Sequence, residues 1–361
     1  MSAPAEREGT REGSRGTTRA DPGGAVARAL VVRLDSFGDV LLAGPAVRAV
    51  AHRADRVAML CGPQGAPAAR LLPGVDEVLV WEAPWVGFSP PPVDRTDVGR
   101  VVDRLAAGRF DAALVLTSFH QSPLPAALLL RMARVPHIAA DSVDAPGSLL
   151  DVRHQRPPRA HEAEAALALA EAAGFPLPPG DDGRLRVRHA PAAPELTGPG
   201  PYVAVHPGAS VPARRWSPDR CAQAVRLLAG AGHRVVVTGG PDERELTAYV
   251  AGRHGVDLGG RTRPPELAAV LAAAGVVVTG NTGPAHLAAA VGTPVVSLFS
   301  PVVPAERWGP YGVPHVLLGD QDAACAGSRA RQCPVPGHPC LDGVTAEDVV
   351  AAVGKLLEAA E

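Results

Sequence analysis

The amino-acid sequence predicts an α/β protein made of two doubly wound parallel-sheet domains that face a cleft. Short runs rich in β-branched residues alternate with helical segments from residue 29 onward, which indicates crossover connections between parallel strands. The alternation stops at a Pro- and Gly-rich stretch, residues 190–201, and then restarts. The length of 361 residues suits two domains at roughly 150 residues each.

Composition supports a globular protein of this class. Hydrophobic residues make up 46% and charged residues 20%, which allows each domain a core of its own. These values exclude a disulfide miniprotein, a collagen-like fibre and a fully disordered chain. The formal net charge of −2 argues against a nucleic-acid partner. Lys355 is the only lysine, a bias that we attribute to genome-wide composition rather than to function.

The sequence also predicts a soluble, cytoplasmic protein. The longest apolar stretches, 124–130 and 286–299, are too short or too interrupted to form a membrane span of about 18 residues. Residues 1–28 are charged and lack the apolar core of a signal peptide, so we expect a disordered leader there. Five cysteines in a chain of this length do not indicate a secreted disulfide framework.

The first predicted domain covers residues 29–193. A buried strand at 29–34 leads through a short loop into a helical stretch that ends near residue 53. Further strands are predicted at 56–60, 77–81, 111–117 and 137–140, and further helices at 96–107, 123–134 and 160–173.

The second predicted domain covers residues 194–361. Strands are predicted at 202–205, 234–238, 276–279 and 295–299, and helices at 218–229, 242–253, 264–273 and 283–291. A last helix at 345–358 opens with the capping sequence Thr345-Ala346-Glu347-Asp348 and is a candidate to pack back on the N-terminal domain.

Ligands of open parallel sheets bind beyond the carboxyl ends of the strands, and this rule selects four loops. The first loop, residues 36–40, follows the first strand and contains Gly38 and Asp39. Asp39 either caps the next helix or accepts a proton from a substrate hydroxyl.

The second loop, residues 206–218, contains Ser210 and the adjacent Arg214 and Arg215. The two arginines either clamp a phosphate or form a solvated charge pair.

The other two loops come after later strands of the second domain. In the loop at 239–245, Gly240 precedes Glu243, whose carboxylate either favours the helix dipole or binds ribose hydroxyls. In the loop at 280–286, Gly283 opens a helix whose free amides form an anion site. Its other polar residues are Asn281 and Thr282, which are alternatively helix caps, and His286, which is alternatively a core histidine.

Several common motifs are absent from the sequence. The absence of a Gly-x-Gly-x-x-Gly fingerprint and of a Gly-Lys-Ser/Thr loop argues against an ordinary NAD enzyme and a P-loop NTPase. Cys325, Cys333 and Cys340 lie too far apart for the close cysteine pairs of a zinc site. They are left as thiols, a local disulfide or a metal site.

Four segments together resemble glycosyltransferase family 9, the ADP-heptose:lipopolysaccharide heptosyltransferases. They are ALVVRLDSFGDVLLAGPAVRAVA at 29–51, VAVHPGASVPARRWSP at 203–218, VVVTGGPDERE at 235–245 and VVVTGNTGPAHLAAAVGTPVVSLF at 276–299. The resemblance implies the GT-B fold, in which two Rossmann-like domains bind the acceptor (N-terminal) and the nucleotide-sugar (C-terminal).

The resemblance also implies an activity. Such an enzyme inverts the anomeric centre, needs no metal or other cofactor, and moves a heptose-like sugar from an ADP-sugar to a glycan or glycolipid hydroxyl, as in lipopolysaccharide biosynthesis. A glycolipid acceptor allows peripheral membrane contact. Asp39 is then the general base and Arg214 the phosphate-binding cation. The implied donor-binding residues are Ser210, Arg215, Gly240, Glu243, Asn281, Thr282, Gly283 and His286.

Two residues depart from the family pattern. Arg214 replaces a lysine, which fits the near absence of lysine from this chain, and a guanidinium still supplies a cation. Asn281 replaces an aspartate, which leaves the donor contacts and the donor sugar open. Two alternatives follow. One is a GT-B transferase that uses another nucleotide-sugar on a cell-wall glycan or secondary metabolite, and the other is a catalytically idle nucleotide-binding module.

Overall fold

The computed structural model of the chain describes residues 26–192 and 194–359. Residues 1–25 of the expected leader lie outside the described residues. The first strand begins at Val26, three residues before the predicted start of the N-terminal domain.

The described residues form two sets of strands and helices, with bounds as follows. The strands are β1 (Val26–Val32), β2 (Ala54–Cys61), β3 (Glu77–Val80), β4 (Ala112–Val115), β5 (His137–Asp141), β6 (Val152–His154), β7 (Val203–His206), β8 (Val235–Gly239), β9 (Val256–Gly259), β10 (Val276–Gly280), β11 (Val295–Leu298) and β12 (His315–Leu318). The helices are α1 (Phe37–Leu42), α2 (Gly44–Arg53), α3 (Ala66–Ala69), α4 (Arg95–Gly108), α5 (Leu124–Met132), α6 (Glu162–Ala172), α7 (Pro194–Thr197), α8 (Pro218–Gly230), α9 (Arg244–Ala251), α10 (Pro264–Ala272), α11 (Gly283–Ala290), α12 (Ala305–Trp308), α13 (Pro339–Asp342) and α14 (Ala346–Glu358).

The strands form two parallel six-stranded sheets of the same topology. Their orders are β3-β2-β1-β4-β5-β6 and β12-β11-β10-β7-β8-β9. In each sheet the first strand of its half lies at the centre, and the strand order reverses beside it. These reversals, between β1 and β4 and between β7 and β10, are the points at which doubly wound sheets bind ligands.

The central strands explain why the fold class is predictable. Strands β7, β8, β10 and β11 are buried along their whole length and consist largely of valine. Continuous apolar runs of this kind are typical of parallel strands that helices cover on both faces. The predicted α/β class with two doubly wound sheets is confirmed.

The last helix has the predicted cap and packs in the core of the second sheet. Asp348 N donates to Thr345 Oγ1 at 3.1 Å, and Thr345 N donates to Asp348 Oδ2 at 2.9 Å, which completes a capping box. Val349 and Val353 then pack in the apolar core of the second sheet, against α8. The helix therefore covers the second sheet, and its packing on the N-terminal half stays a prediction.

Other differences from the predicted elements have local causes. Strands β6, β9 and β12 were not predicted; each lies at the edge of its sheet, where partial exposure weakens the apolar pattern. The single helix predicted up to residue 53 is two helices, because Gly44 and Pro45 interrupt the backbone hydrogen bonds after Ala43. The proposed domain boundary at 193/194 falls between the two sheets, immediately before α7, and stays a prediction.

None of the helices in the described ranges is long and apolar enough to cross a membrane.

Candidate active site

The ligand-binding edges of the two sheets meet. Helix α1, which follows β1, contacts α11, which follows β10. A Cβ atom on Gly38 would lie 2.8 Å from His286 Cδ2, so glycine permits this close approach of the two helices. An apolar cluster beside the contact joins the halves and contains Leu42, Ala163, Leu185, Ala289 and Ala290.

Asp39 lies in the first turn of α1, and its side chain is 19% exposed. Ser36 is the N-cap residue, and its hydroxyl donates to Asp39 Oδ2 at 2.7 Å. The other oxygen, Oδ1, accepts from Arg33 Nη2 at 3.1 Å and from Trp308 Nε1, in the second half of the chain, at 3.4 Å. Ser36 is therefore the N-cap residue of α1, and Asp39 is the residue that bonds back to it. Asp39 also lies where the two halves of the chain meet.

The surroundings of Asp39 favour its charged form. Burial acts to raise the pKa of this carboxyl, but the Arg33 guanidinium and the Ser36 hydrogen bond outweigh that effect, with smaller contributions from His286 and Trp308. The pKa of Asp39 is therefore below its ordinary value. At neutral pH the side chain is a carboxylate, which is the form that a proton acceptor requires.

Arg214 supplies a cation from the second half of the chain. It ends a 3-10 helix at Pro212–Arg214, and its Nε is buried without a hydrogen-bond partner in the described part of the chain. Burial lowers the pKa of Arg214 from its ordinary value, although the charge of Asp39 acts in the opposite direction. A guanidinium stays protonated in proteins, so its unused donor can bind an anion.

His286 lies on α11 and is buried, but it is not a satisfied core histidine. Its Nδ1 has no hydrogen-bond partner among the described residues. Burial lowers the pKa of His286 to about 4, and the nearby His161 and Arg214 act in the same direction. The ring is therefore neutral at neutral pH, and its Nδ1 is a buried polar atom whose hydrogen-bonding capacity is unused within the described residues.

Two polar residues lie just before α11: Asn281 makes a structural contact, and Thr282 has a hydroxyl without a partner in the described residues. Asn281 Nδ2 donates to Ser300 O at 3.3 Å, and Ser300 N donates to Asn281 Oδ1 at 3.4 Å, which ties the end of β10 to the segment after β11. An ionised aspartate could not make the first of these bonds, because it has no donor. Thr282 occupies the N-cap position before Gly283, but its buried hydroxyl has no partner in the residues that the structure describes.

The loop after β7 contains the other predicted basic and hydroxyl residues. Ser210 and Arg215 are both exposed. Arg215 Nη2 donates to Ala209 O at 2.8 Å, so this side chain braces its own loop. Of the two adjacent arginines, Arg214 is the one whose buried donor is unused.

Glu243 connects the loops that follow β7 and β8. Gly240 N donates to Glu243 Oε2 at 2.8 Å, which caps the short 3-10 helix at Pro241–Glu243. A Cβ atom on Gly208 would lie 1.8 Å from Glu243 Oε1, so only glycine lets the carboxylate rest against this backbone. Glu243 Oε2 also lies 3.7 Å from His206 Nε2. Its side chain remains 25% exposed at the crevice.

A cavity of about 470 Å³ lies beside this crevice, beyond the carboxyl ends of β8 and β9. It is bounded by Glu195, Leu196, Pro241, Gly260, Arg261, Thr262, Arg263 and Glu266.

The cysteines do not form a cofactor site in the described residues. Cys325, Cys333 and Cys340 are free thiols, as are the other two cysteines. Within residues 26–192 and 194–359, no group of three or more His, Cys, Asp or Glu side chains is arranged to hold a metal ion. Of the three states left open by the sequence, the structure has thiols.

Two neighbours of Asp39 were not predicted. Arg33 carries a signal in the sequence, because it is a charged residue inside the apolar run at 29–34. A buried arginine needs acidic partners, so its position could have pointed to the carboxylates around it. Trp308 carries no such signal, since its contact with Asp39 depends on how the two halves pack.

A family model described as glycosyltransferase family 9 (heptosyltransferase) matches residues 98–338. The chain belongs to glycosyltransferase family 9. It is therefore a glycosyltransferase, and its two parallel sheets form the GT-B fold. No curated protein matches the chain in sequence.

Solved structures share this fold at low sequence identity. A family 9 glycosyltransferase from Veillonella parvula DSM 2008 has a TM-score of 0.74 at 19% identity, over 94% of this chain and 99% of that one. The ADP-heptose lps heptosyltransferase II of E. coli has a TM-score of 0.69 at 21% identity, over 92% and 99%. The E. coli heptosyltransferase WaaC with ADP-2-deoxy-2-fluoro heptose has a TM-score of 0.67 at 19% identity, over 91% and 99%.

Proposed function

We propose that this family 9 glycosyltransferase moves a heptose-like sugar from an ADP-sugar to a hydroxyl of a glycan or glycolipid, with inversion and without a metal ion. The observation that carries the proposal is the ionised Asp39 at the junction of the halves, within electrostatic reach of Arg214, whose buried donor is unused. The ADP-heptose donor is supported by the E. coli relatives of the same fold, which are named for it or hold its analogue.

The proposed reaction is a single displacement. Asp39 takes the proton of the acceptor hydroxyl while that oxygen forms a bond to the anomeric carbon from the face opposite the nucleotide. The bond from the anomeric carbon to the diphosphate oxygen breaks, and its electron pair leaves with the diphosphate. The configuration at the anomeric carbon is inverted because the incoming and leaving oxygens lie on opposite faces.

The leaving diphosphate needs groups that stabilise its growing negative charge. Arg214 provides a cation, the Thr282 hydroxyl and the Gly283 end of α11 provide donors, and the neutral His286 provides a ring nitrogen. In this proposal the folded protein holds these groups in place, so they cost little reorganisation when the charge develops. A metal ion is not required if they neutralise the diphosphate.

The nucleoside part of the donor belongs beside Glu243. Its carboxylate can accept bonds from ribose hydroxyls at the crevice between the loops after β7 and β8. The cavity of about 470 Å³ next to it can take the base. In this assignment Ser210, Arg215 and Gly240 shape the loops around the donor, while Asn281 holds the end of β10 in place.

We further propose a cytoplasmic location, because all five cysteines are free thiols, as is usual in a reducing compartment. Peripheral membrane contact during action on a glycolipid stays a prediction.

Isothermal titration with ADP, UDP and GDP, without added metal, tests the donor assignment. We expect ADP to bind selectively, and Arg214→Met to weaken that binding by about tenfold or more, as for a lost bond to a charged group. The matched control is Arg226→Met, an exposed arginine on α8. Selective binding of UDP or GDP would show that the donor is another nucleotide-sugar. Failure to bind any of the three nucleotides would refute the donor site.

The Asp39→Asn variant tests the catalytic assignment. With ADP-heptose as donor, release of ADP should fall by about 10²-fold or more, as expected for loss of a general base, while ADP affinity stays near that of the wild type. Asp103→Asn, at an exposed position of α4, is the control and should keep full turnover. Wild-type turnover by Asp39→Asn would show that another group takes the proton. Donor binding with no turnover of any acceptor or of water in the wild type would favour an idle binding module.

A further inference from the structure

Arg33 is a buried cation at the carboxyl end of β1, with its side chain 4% exposed. Its Nη2 donates to Asp39 Oδ1 at 3.1 Å and to Ser118 Oγ at 2.9 Å. Its Nε lies 3.0 Å from Asp35 Oδ2, and its Nη2 lies 3.6 Å from Glu162 Oε2. Three carboxylates and one hydroxyl therefore surround a single guanidinium.

These contacts require the shape of a guanidinium. Nη2 has two hydrogens, and Asp39 and Ser118 each accept one of them. Nε lies within ion-pair distance of Asp35 but makes no hydrogen bond within the described residues. A lysine ammonium is a compact point charge and cannot keep this set of directions. Burial works against the charge of Arg33, but the three carboxylates outweigh it and raise the pKa of Arg33 above its ordinary value.

A series of further charged contacts begins at Glu162 and connects Arg33 to other strands. Glu162 pairs through Oε1 with Arg156 Nη1 at 2.8 Å, and its side chain is 1% exposed. Arg156 also binds Asp141 Oδ2 at 3.1 Å, and Asp141 Oδ1 meets His154 Nδ1 at 2.5 Å. The series follows the ends of β1, β5 and β6, so Arg33 is fixed to several strands of the N-terminal sheet.

We propose that Arg33 is a positioning residue: it aims the Asp39 carboxylate at the cleft and keeps it ionised, so that this carboxylate is ready to receive the acceptor proton. This inference rests on the proposed role of Asp39. Arg33 is the cation in direct contact with it. The other charged or titratable groups that act on Asp39 or are acted on by it are Asp35, His120, Arg214 and His286.

The test compares the pKa of Asp39 in two variants. Arg33→Gln removes the positive charge, and Arg33→Lys keeps the charge but lacks the planar set of guanidinium donors. The titration of the Asp39 carboxyl is followed by ¹³C NMR, with the resonance assigned by its loss in Asp39→Asn. Removing an opposite charge in contact with a carboxyl raises its pKa by about 1–3 pH units. We expect a shift of this size in Arg33→Gln and a smaller one in Arg33→Lys. The matched control is Arg28→Lys, which lies on β1 and pairs with Glu77 at 3.2 Å.

Turnover provides the second readout, with ADP-heptose as donor and water as acceptor. The acid limb of the kcat profile should move to higher pH by the same amount as the NMR midpoint, and the Kd for ADP should stay within about twofold. A merely structural role for Arg33 would lower activity equally at all pH values. An unmoved Asp39 midpoint in folded Arg33→Gln would overturn the inference.

Ser118→Ala keeps the proposal testable if the Arg33 variants do not fold. It removes one hydroxyl, leaves every charge in place, and takes away one of the two acceptors that hold Nη2 of Arg33. We expect the Asp39 midpoint to rise in this variant because Nη2 is held less firmly beside the carboxylate, and an unchanged midpoint would contradict the positioning role. If Asp39→Asn itself retained turnover, the proposed function would fail. Loss of turnover in Asp39→Asn with no shift in the other variants would overturn only the inference on Arg33.

Discussion

The pair formed by Arg48 and Asp181 offers a sharp test of how the segment between the two sheets is held. Arg48, on α2, donates from Nε to Asp181 Oδ2 at 2.6 Å and from Nη2 to Asp181 Oδ1 at 2.9 Å. Nη2 also reaches Arg184 O at 2.7 Å, and both paired side chains are less than a tenth exposed. The pair fixes the segment that contains Leu185, one of the apolar residues that join the halves.

The size of the effect follows from the pKa of Asp181. Hydrogen bonds from Arg48 lower this pKa from 3.8 to about 2, with a further contribution from Gly183 N–H. That change is roughly 60-fold in the ionisation constant, or about 2–3 kcal/mol of stability. Because the folded pKa is the lower one, the contribution is complete above pH 3.8 and is lost as the pH falls toward 2. Arg48→Met removes the other partner of the buried pair. It should lower the free energy of unfolding by about 3–5 kcal/mol, since the Asp181 carboxylate is left buried without its cation.

Urea unfolding at pH 7 and at pH 3 measures both effects. Asp181→Asn should lose about 2–3 kcal/mol at pH 7 and clearly less at pH 3, where the wild type has itself lost part of the contribution. Asp103→Asn, at an exposed position of α4, is the control. An equal loss for Asp181→Asn at the two pH values would refute the electrostatic reasoning and leave only a packing role.

Three further predictions concern single groups. Asn281→Asp should destabilise the fold by about 1–3 kcal/mol, because the Ser300 carbonyl loses its donor, and the loss should grow as the pH rises and the buried carboxyl ionises; thermal melting at two pH values measures it. Thr282→Val should leave stability unchanged or slightly raised, since the buried hydroxyl has no partner in the described residues, yet weaken ADP binding; unchanged ADP affinity by calorimetry would remove this hydroxyl from the donor site. Burial raises the pKa of Cys340 to about 11, so this thiol should resist iodoacetamide at pH 8 in the folded protein and react once urea unfolds it, as mass spectrometry can show.

The parts of the fold that the sequence predicts are those whose signal is local. Strands β7, β10 and β11 are apolar runs because both of their faces are covered, and the capping sequence at Thr345 describes its own hydrogen bonds. The edge strands β6, β9 and β12 escape such reasoning, since they depend on pairing with a neighbour rather than on their own pattern.

The site divides in the same way. The sequence points to several site residues because each lies in or next to a strand-to-helix loop: Asp39, Thr282, Gly283 and His286. It does not predict their charge states or hydrogen bonds, because these depend on contacts between distant segments. The indole of Trp308 reaches Asp39 across 269 residues of sequence, and the free nitrogen of His286 becomes visible only once its surroundings are known.

The contact between Gly38 and His286 leaves no room for a side chain at position 38. A methyl carbon there would lie 2.8 Å from the imidazole, which would have to shift, while the Gly283 backbone at 3.5 Å could stay in place. The backbone at Gly38 tolerates other residues, because its φ is not in the left-handed region. A graded series of side chains at this single position would therefore displace the imidazole first and the start of α11 only with larger residues. Such a series would measure how much displacement on the second half of the chain sugar transfer tolerates.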